Sequence, residues 1–134
     1  MSFIEFTESE KVNVESIDQQ HLTIVGIINK IHSEFSANKK QGVMSTLQNL
    51  IDELEIHFEN EERYMKEFHY PGYISHKLEH DRFYNQIVNT TDKLKKEHQN
   101  ISLDQLEGLR RWFFNHLDFN DKKCGEFLRS KGIN

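Results

Sequence analysis

The sequence is short of the residues that interrupt or staple a chain. One proline, Pro71, occurs in 134 residues. Proline in a helix interior removes a backbone donor and clashes with the preceding turn, so its scarcity leaves room for long uninterrupted helices. One cysteine, Cys124, excludes an internal disulfide and agrees with a reducing cytoplasm, the compartment we expect. Net charge is −5, and no run of Lys or Arg is long enough for a nucleic-acid footprint. No basic-then-apolar leader is present, and no stretch approaches the roughly 20 apolar residues that span a bilayer. Neither nucleic acid nor membrane is therefore expected as a partner. Without staples the core must come from apolar packing. A single domain over residues 1–134 would bury roughly two-thirds of its unfolded surface, which suffices.

Histidine, in contrast, is abundant, with eight residues. Their positions matter once the helices are placed. Residues 1–15 lack a helical period but carry Phe3, Ile4, Phe6, Val12 and Val14, and read as an extended arm packed on the outside of the body. Ser16 to Gln19 has the form of a capping box. From there Ile17, His21, Ile24, Ile28, Ile31 and Phe35 recur at helical spacing, up to a break over Asn38 to Gly42. A second stripe holds Val43, Leu47, Leu50, Leu54, His57, Glu61 and Met65, and Tyr70-Pro71-Gly72 ends it. A third holds Tyr73, His76, His80, Phe83, Ile87 and Leu94. Ser102 to Gln105 repeats the capping-box pattern ahead of a fourth, with Leu106, Leu109, Phe113 and His116; Phe127 and Leu128 suggest a short terminal helix that packs back. No segment shows sustained two-residue alternation. The fold expected is all-α: an up-down-up-down antiparallel four-helix bundle with an N-terminal extended arm and a short C-terminal helix.

Polar residues break the apolar stripes in a pattern. His57 and Glu61 are four apart, as are His76 and His80, so each pair leaves one helix face. His21 and His116 lie on the apolar faces of the first and fourth helices. Asp121, five beyond His116, points well off that direction in a regular helix and is the least secure of the set. In an antiparallel bundle the starts of odd helices and the ends of even ones share one end of the molecule. All seven groups therefore converge on one layer. Burying them without partners would cost several kcal/mol or more, and metal ions remove that cost by accepting the lone pairs. Five imidazoles and two carboxylates exceed the needs of one tetrahedral zinc and suit two bridged metals, with iron favoured over copper or zinc.

Ile17 to His21, His57 to Glu62, His76 with His80, and Trp112 through His116 to Asp121 resemble the hemerythrin family, in particular its single-domain bacterial members, over essentially the whole chain. The resemblance implies two iron ions, one held by His76, His80 and His116 and the other by His21 and His57, bridged by Glu61, Asp121 and an oxo or hydroxo group. It implies reversible O2 binding at an open position on the two-histidine iron, for O2 transport, storage or sensing, with O2 as the ligand and no enzymatic turnover as the primary role. Departures from the family pattern are Phe6 in place of a usual Trp, Phe113 in place of a common pocket Leu, and Cys124 where an aromatic is frequent. None of them is a ligand position.

Other readings are weaker. His32, His69 and His98 match no motif position and read as satisfied core histidines outside the site; Glu55, Glu59, Glu62 and Asp118 read as solvated charges. His76-Lys77-Leu78-Glu79-His80 matches the inverted zinc-peptidase pattern, but that assignment strands His21, His57, Glu61 and His116. Ferritin-like di-iron bundles use Glu-x-x-His, and no Glu lies three before any histidine here. An enzyme reducing peroxide or nitric oxide at the same iron pair is the alternative from another class. A metal-buffering module that needs the ions only to fold is a third.

Overall fold

A computed structural model describes residues 2–134. Its elements are a short 3-10 turn at Glu8–Glu10 and five α-helices: α1 (Glu15–Ser36), α2 (Lys40–Glu67), α3 (Tyr73–Lys96), α4 (Leu103–His116) and α5 (Lys122–Ser130). No strand occurs among the described residues. Each long helix buries the stripe that its sequence period marks, such as Ile17, His21, Ile24, Ile28 and Ile31 on α1. The helices form the expected four-helix bundle, with α2 packed closely between α1 and α3.

The turns are made by left-handed residues that stop the helices. Asn38, His69 and His98 have φ near +55° and follow the ends of α1, α2 and α3. At all three, a backbone donor reaches back to a carbonyl of the last turn, Lys39 N–H to Glu34, Tyr70 N–H to Met65 and Gln99 N–H to Leu94. His69 and His98 are thus exposed turn residues rather than core histidines. His32 has another occupation: its ring stacks on Phe3 at 4.3 Å.

The capping box expected at Ser102 is present, with the Ser102 hydroxyl accepting from Gln105 N–H and the Gln105 side chain accepting from Ser102 N–H. The one expected at Ser16 is not. Helix α1 already begins at Glu15, and no side chain caps it. Asp18 instead turns backwards, and its carboxylate accepts from the backbone N–H groups of Val12 at 2.8 Å and Asn13 at 3.0 Å. A charged acceptor satisfying two donors outcompetes a serine that would satisfy one. Ser16 points its hydroxyl to Tyr64, 3.3 Å away.

The N-terminal arm does more than lie on the outside. Ile4 is 2% exposed and belongs to the main apolar core. Asn29 of α1 holds Ile4 by accepting from its N–H and donating to its carbonyl, while Arg110 of α4 donates to Phe3 O and covers its ring. The arm thereby ties α1 to α4. Further along, Gly125 of α5 lies so near Val12 that a Cβ would stand 2.8 Å from the valine side chain, so glycine permits the close approach.

Helix α4 passes into α5 without a loop. The link, Leu117–Asp121, is one turn of π-helix, in which Lys122 N–H reaches Leu117 O five residues back. The short C-terminal helix is thus a continuation of the fourth. Its Leu128 and Cys124 join Val12, Val14, Ile17 and Met65 in a second apolar cluster.

Candidate metal centre

Between the two apolar clusters lies a polar layer. One helical turn after Ile17 comes His21; one turn before Met65 comes Glu61; one turn before Cys124 lies the end of the π turn, Asp121. His21, His57, Glu61, His76, His80, His116 and Asp121 are all at most 4% exposed. The structure brings together all seven residues singled out in the sequence. Asp121 gets there through the π turn. Five residues of regular α-helix rotate a side chain about 140° away from its starting direction. The i→i+5 pattern instead stacks Asp121 over His116, with Oδ1 3.0 Å from His116 Nε2.

The donors divide into two groups that share both carboxylates. Glu61, His76, His80, His116 and Asp121 form one group able to hold an ion; His21, His57, Glu61 and Asp121 form the other. Each carboxylate turns one oxygen to each side. Asp121 sets Oδ1 3.1 Å from His76 Nε2 and Oδ2 3.1 Å from His21 Nε2. Glu61 sets Oε1 2.6 Å from His76 Nε2 and Oε2 3.1 Å from His57 Nε2. All five imidazoles present Nε2.

Whether these residues fit metal ions can be tested on the protonation they require. Gln20 Oε1 can only accept, so at 2.8 Å His57 Nδ1 must carry the proton; Glu62 Oε2 imposes the same on His80 Nδ1 at 2.9 Å. A neutral ring protonated at Nδ1 has its Nε2 lone pair free, and both lone pairs face inward. Yet His80 Nε2 stands 3.0 Å from His116 Nε2, which is itself 3.2 Å from His76 Nε2, and His57 Nε2 stands 3.1 Å from His21 Nε2. Both oxygens of Glu61 and Oδ1 of Asp121 are buried without an aligned donor, despite their short distances to imidazoles. Acceptors crowded together in this way are unfavourable alone. Two donors about 2.1 Å from a shared ion and at right angles to each other stand about 3.0 Å apart, so an ion in each group resolves the conflict. The residues fit.

The charge balance of the metal-free layer agrees. Burial opposes the charged form of His76, but Asp121 and Glu61 override it and push its pKa to about 10. Burial would raise both acids, and Asp121 would raise Glu61 further, yet the facing imidazoles hold both well below the usual carboxylate range. For His57 burial wins, and its pKa is lowered. Both acids thus remain ionised, as metal ligands must be.

The surroundings contain residues whose part was not legible in the sequence. Glu62, read as a solvated charge, is largely buried and orients His80. Gln20 lies inside the quoted motif without an assigned part, and it orients His57 while also accepting from Asn60. Glu79 approaches His116 Nδ1 at 3.7 Å and bonds Asn120 of the π turn. The only sequence signal for these was adjacency to a ligand or, for Glu79, membership of a pattern assigned to another chemistry. Aromatic rings jacket the layer. Phe58 stacks on His80 at 3.9 Å, Trp112 stacks between His116 and Phe83, and Phe6 and Phe113 meet His21 edge-on. Cys124 is buried, and burial followed by the nearby acids raises its pKa, so it is an inert thiol.

Comparison with known proteins agrees with this geometry. Residues 12–128 match the family described as Hemerythrin HHE cation binding domain. A bacteriohemerythrin of Methylococcus capsulatus is 30% identical over 129 residues, 96% of this chain and 98% of that protein. One from Stenotrophomonas maltophilia is 26% identical over 130 residues, covering 97% and 84% respectively. A solved wild-type hemerythrin superposes with a TM-score of 0.89 at 29% identity, over 95% of this chain and 98% of that one. A leucine-to-alanine variant of hemerythrin gives 0.90 at 29% identity, over 96% and 98%. With its fold, its paired donor groups and its match over residues 12–128, the chain belongs to the hemerythrin family.

Proposed function

We propose that this protein binds O2 reversibly at a pair of non-haem iron ions, one held by His76, His80 and His116, the other by His21 and His57, with Glu61 and Asp121 bridging them. The observation that carries the reading is the unequal sharing of donors. Five residues supply the first position and only four the second, with both carboxylates common to the two. The two-histidine position is thus the one left with room for an external ligand. Imidazole and carboxylate together suit iron, and iron supplies the redox electrons that reversible O2 binding needs.

The chain's own residues set the terms of that binding. Glu62 and Gln20 fix two imidazoles in the tautomer that offers Nε2 inward. The apolar clusters above and below exclude water from the layer. On the open side His21 faces the ring edges of Phe6 and Phe113, neither of which can donate or take up a proton. This favours binding over turnover, since peroxide or nitric oxide reduction requires an acid or base at the ligand. We propose the whole of residues 1–134 as one such domain, acting in the cytoplasm. Among the described residues no helix is long and apolar enough to cross a membrane.

The test is metal content together with an optical spectrum. Two irons per chain are expected, with visible absorption bands that grow when the reduced protein meets air and fade when O2 is removed. A fully iron-loaded protein whose spectrum ignores O2 would reject the reading. Steady consumption of peroxide or nitric oxide with a reductant would replace it with the enzymatic one.

A further inference from the structure

His21 and His57 are at most 2% exposed, so a ligand needs a way in to the position they serve. Most sides are closed. The two apolar clusters lie above and below the layer. Helix α1 is packed closely on α2, and Gln20 bridges that seam by accepting from His57 and from Asn60. Helix α1 is not packed closely on α4, and there the N-terminal arm runs between them, tied to Asn29 on one side and Arg110 on the other. Two rings meet the edge of His21 on this side. Phe113 is buried, whereas Phe6 of the arm, 6.3 Å away, is half-buried and separates His21 from solvent.

The way Phe6 is held differs from the rest of the arm. Ile4 is fixed to Asn29 by both its N–H and its carbonyl, and the N–H groups of Val12 and Asn13 are fixed to the Asp18 carboxylate. Between these anchors, among the described residues, every hydrogen bond of residues 5–11 stays inside the segment, such as Thr7 N–H to Glu10 and Lys11 Nζ to Glu8. Phe6 is the one apolar side chain there, and its ring packs on the main core. A segment held to the body by so little opens locally without unfolding the rest. We infer that Phe6 is the gate to the two-histidine position: residues 5–11 swing outward between their anchors, withdraw the ring from His21 and admit the ligand. The inference rests on the proposed open position at that half of the layer, and it makes Phe6 a residue that sets access rather than affinity.

The test is stopped-flow mixing of the oxidised, iron-loaded full chain with azide, a small anion that ligates ferric ions and reports by absorption whether or not O2 binds reversibly. Phe6→Ala should speed association and dissociation several-fold and in the same proportion, with affinity and iron content unchanged, because lowering a barrier acts on both directions alike. Phe6→Trp should slow both. Asn29→Ala keeps the ring and frees one anchor, and should speed both by less. Wild-type rates in Phe6→Ala, or an altered affinity without faster association, overturn the gate. Wild-type rates in Asn29→Ala overturn the swing of the arm, and a two-iron wild type that takes up no azide overturns the inference at its base. Azide rates that follow the expected order in a protein indifferent to O2 uphold the gate and reject reversible O2 binding.

Discussion

The two halves of the metal layer are built differently, although they share two carboxylates. The three-histidine half is braced from behind. His80 is held by Glu62 and by the face of Phe58, and His116 is stacked under Trp112 with Glu79 nearby. In the two-histidine half, Gln20 holds His57, while His21 Nδ1, like His116 Nδ1 in the other half, has no hydrogen-bond partner, and the His21 ring packs against His57, Phe6 and Phe113. One half gathers five donors; the other gathers four and has Phe6 and Phe113 beside it. The contrast separates holding from responding. On the proposed function, the five-donor group would hold its ion closed and the four-donor group would leave its ion room for a ligand.

The largest effect should come from removing what the halves share. Glu61→Ala or Asp121→Ala takes an oxygen from each side at once, so iron content is expected to fall from two per chain to nearly none. His57→Ala should lose only its own ion and leave about one. A buried polar layer without its counter-charges is costly, and removal of one member of such a group destabilises by about 3–5 kcal/mol. Metal analysis and thermal unfolding of the three variants decide the matter. Loss of just one ion from Glu61→Ala would show that the carboxylate is not shared.

Next in size are the residues behind the ligands. Glu62→Leu frees the His80 ring from its charged acceptor, and the expected loss of metal affinity is about 10- to 100-fold. Gln20→Leu removes a neutral acceptor from the other half and should cost less, because hydrogen bonds to charged groups are roughly twice as strong. Competition with a chelator ranks the two. Equal losses would mean that the halves are braced alike.

This outer ring is also where the sequence is least legible. The bundle could be read from it because a 3.6-residue period survives in every long helix, and the site because histidines at four-residue spacing break that period inward. Asp121 could not be placed with the same security: its position depends on one π turn, and no propensity marks where a helix will widen. Asp18 prevailed over Ser16 for a similar reason, since which N–H groups a side chain meets is decided by how the arm folds back. Gln20 and Glu62 act on Nδ1, and the direction of a ring nitrogen is a tertiary fact. The sequence shows which groups turn inward more readily than what stands behind them.

Individual imidazoles should also differ in their protons, His57 from the rest of those that shift. In the metal-free chain the His76 pKa lies at about 10, because Asp121 and Glu61 outweigh its burial, so the ring is charged at pH 7. An ion needs the lone pair, and its binding must release that proton. His57, lowered by burial, is already neutral at pH 7 and releases none. Calorimetric loading in buffers of different ionisation enthalpy should count about one proton fewer for His76→Gln than for wild type. For His57→Gln, the count at the remaining ion should be unchanged. An unchanged count in His76→Gln would refute the charged ring.

The smallest change in stability should reveal the sharpest difference in ligand access. Phe113 is buried, and its ring meets His21 at 5.6 Å, nearly perpendicular, on the side that is short of a donor. Phe113→Leu removes part of that wall at a cost of about 1–2 kcal/mol, less than a full truncation because leucine refills part of the space. Association of O2 with the reduced protein should then become several-fold faster, with two irons retained. Phe58→Leu makes the same exchange in the other half, where the ring lies flat on His80. There it should leave the association rate unchanged and loosen the metal instead, because the ring faces a ligand and not a vacancy. Stopped-flow traces of both variants settle the point. A faster rate in Phe58→Leu, or none in Phe113→Leu, would place the entry on the wrong half of the layer.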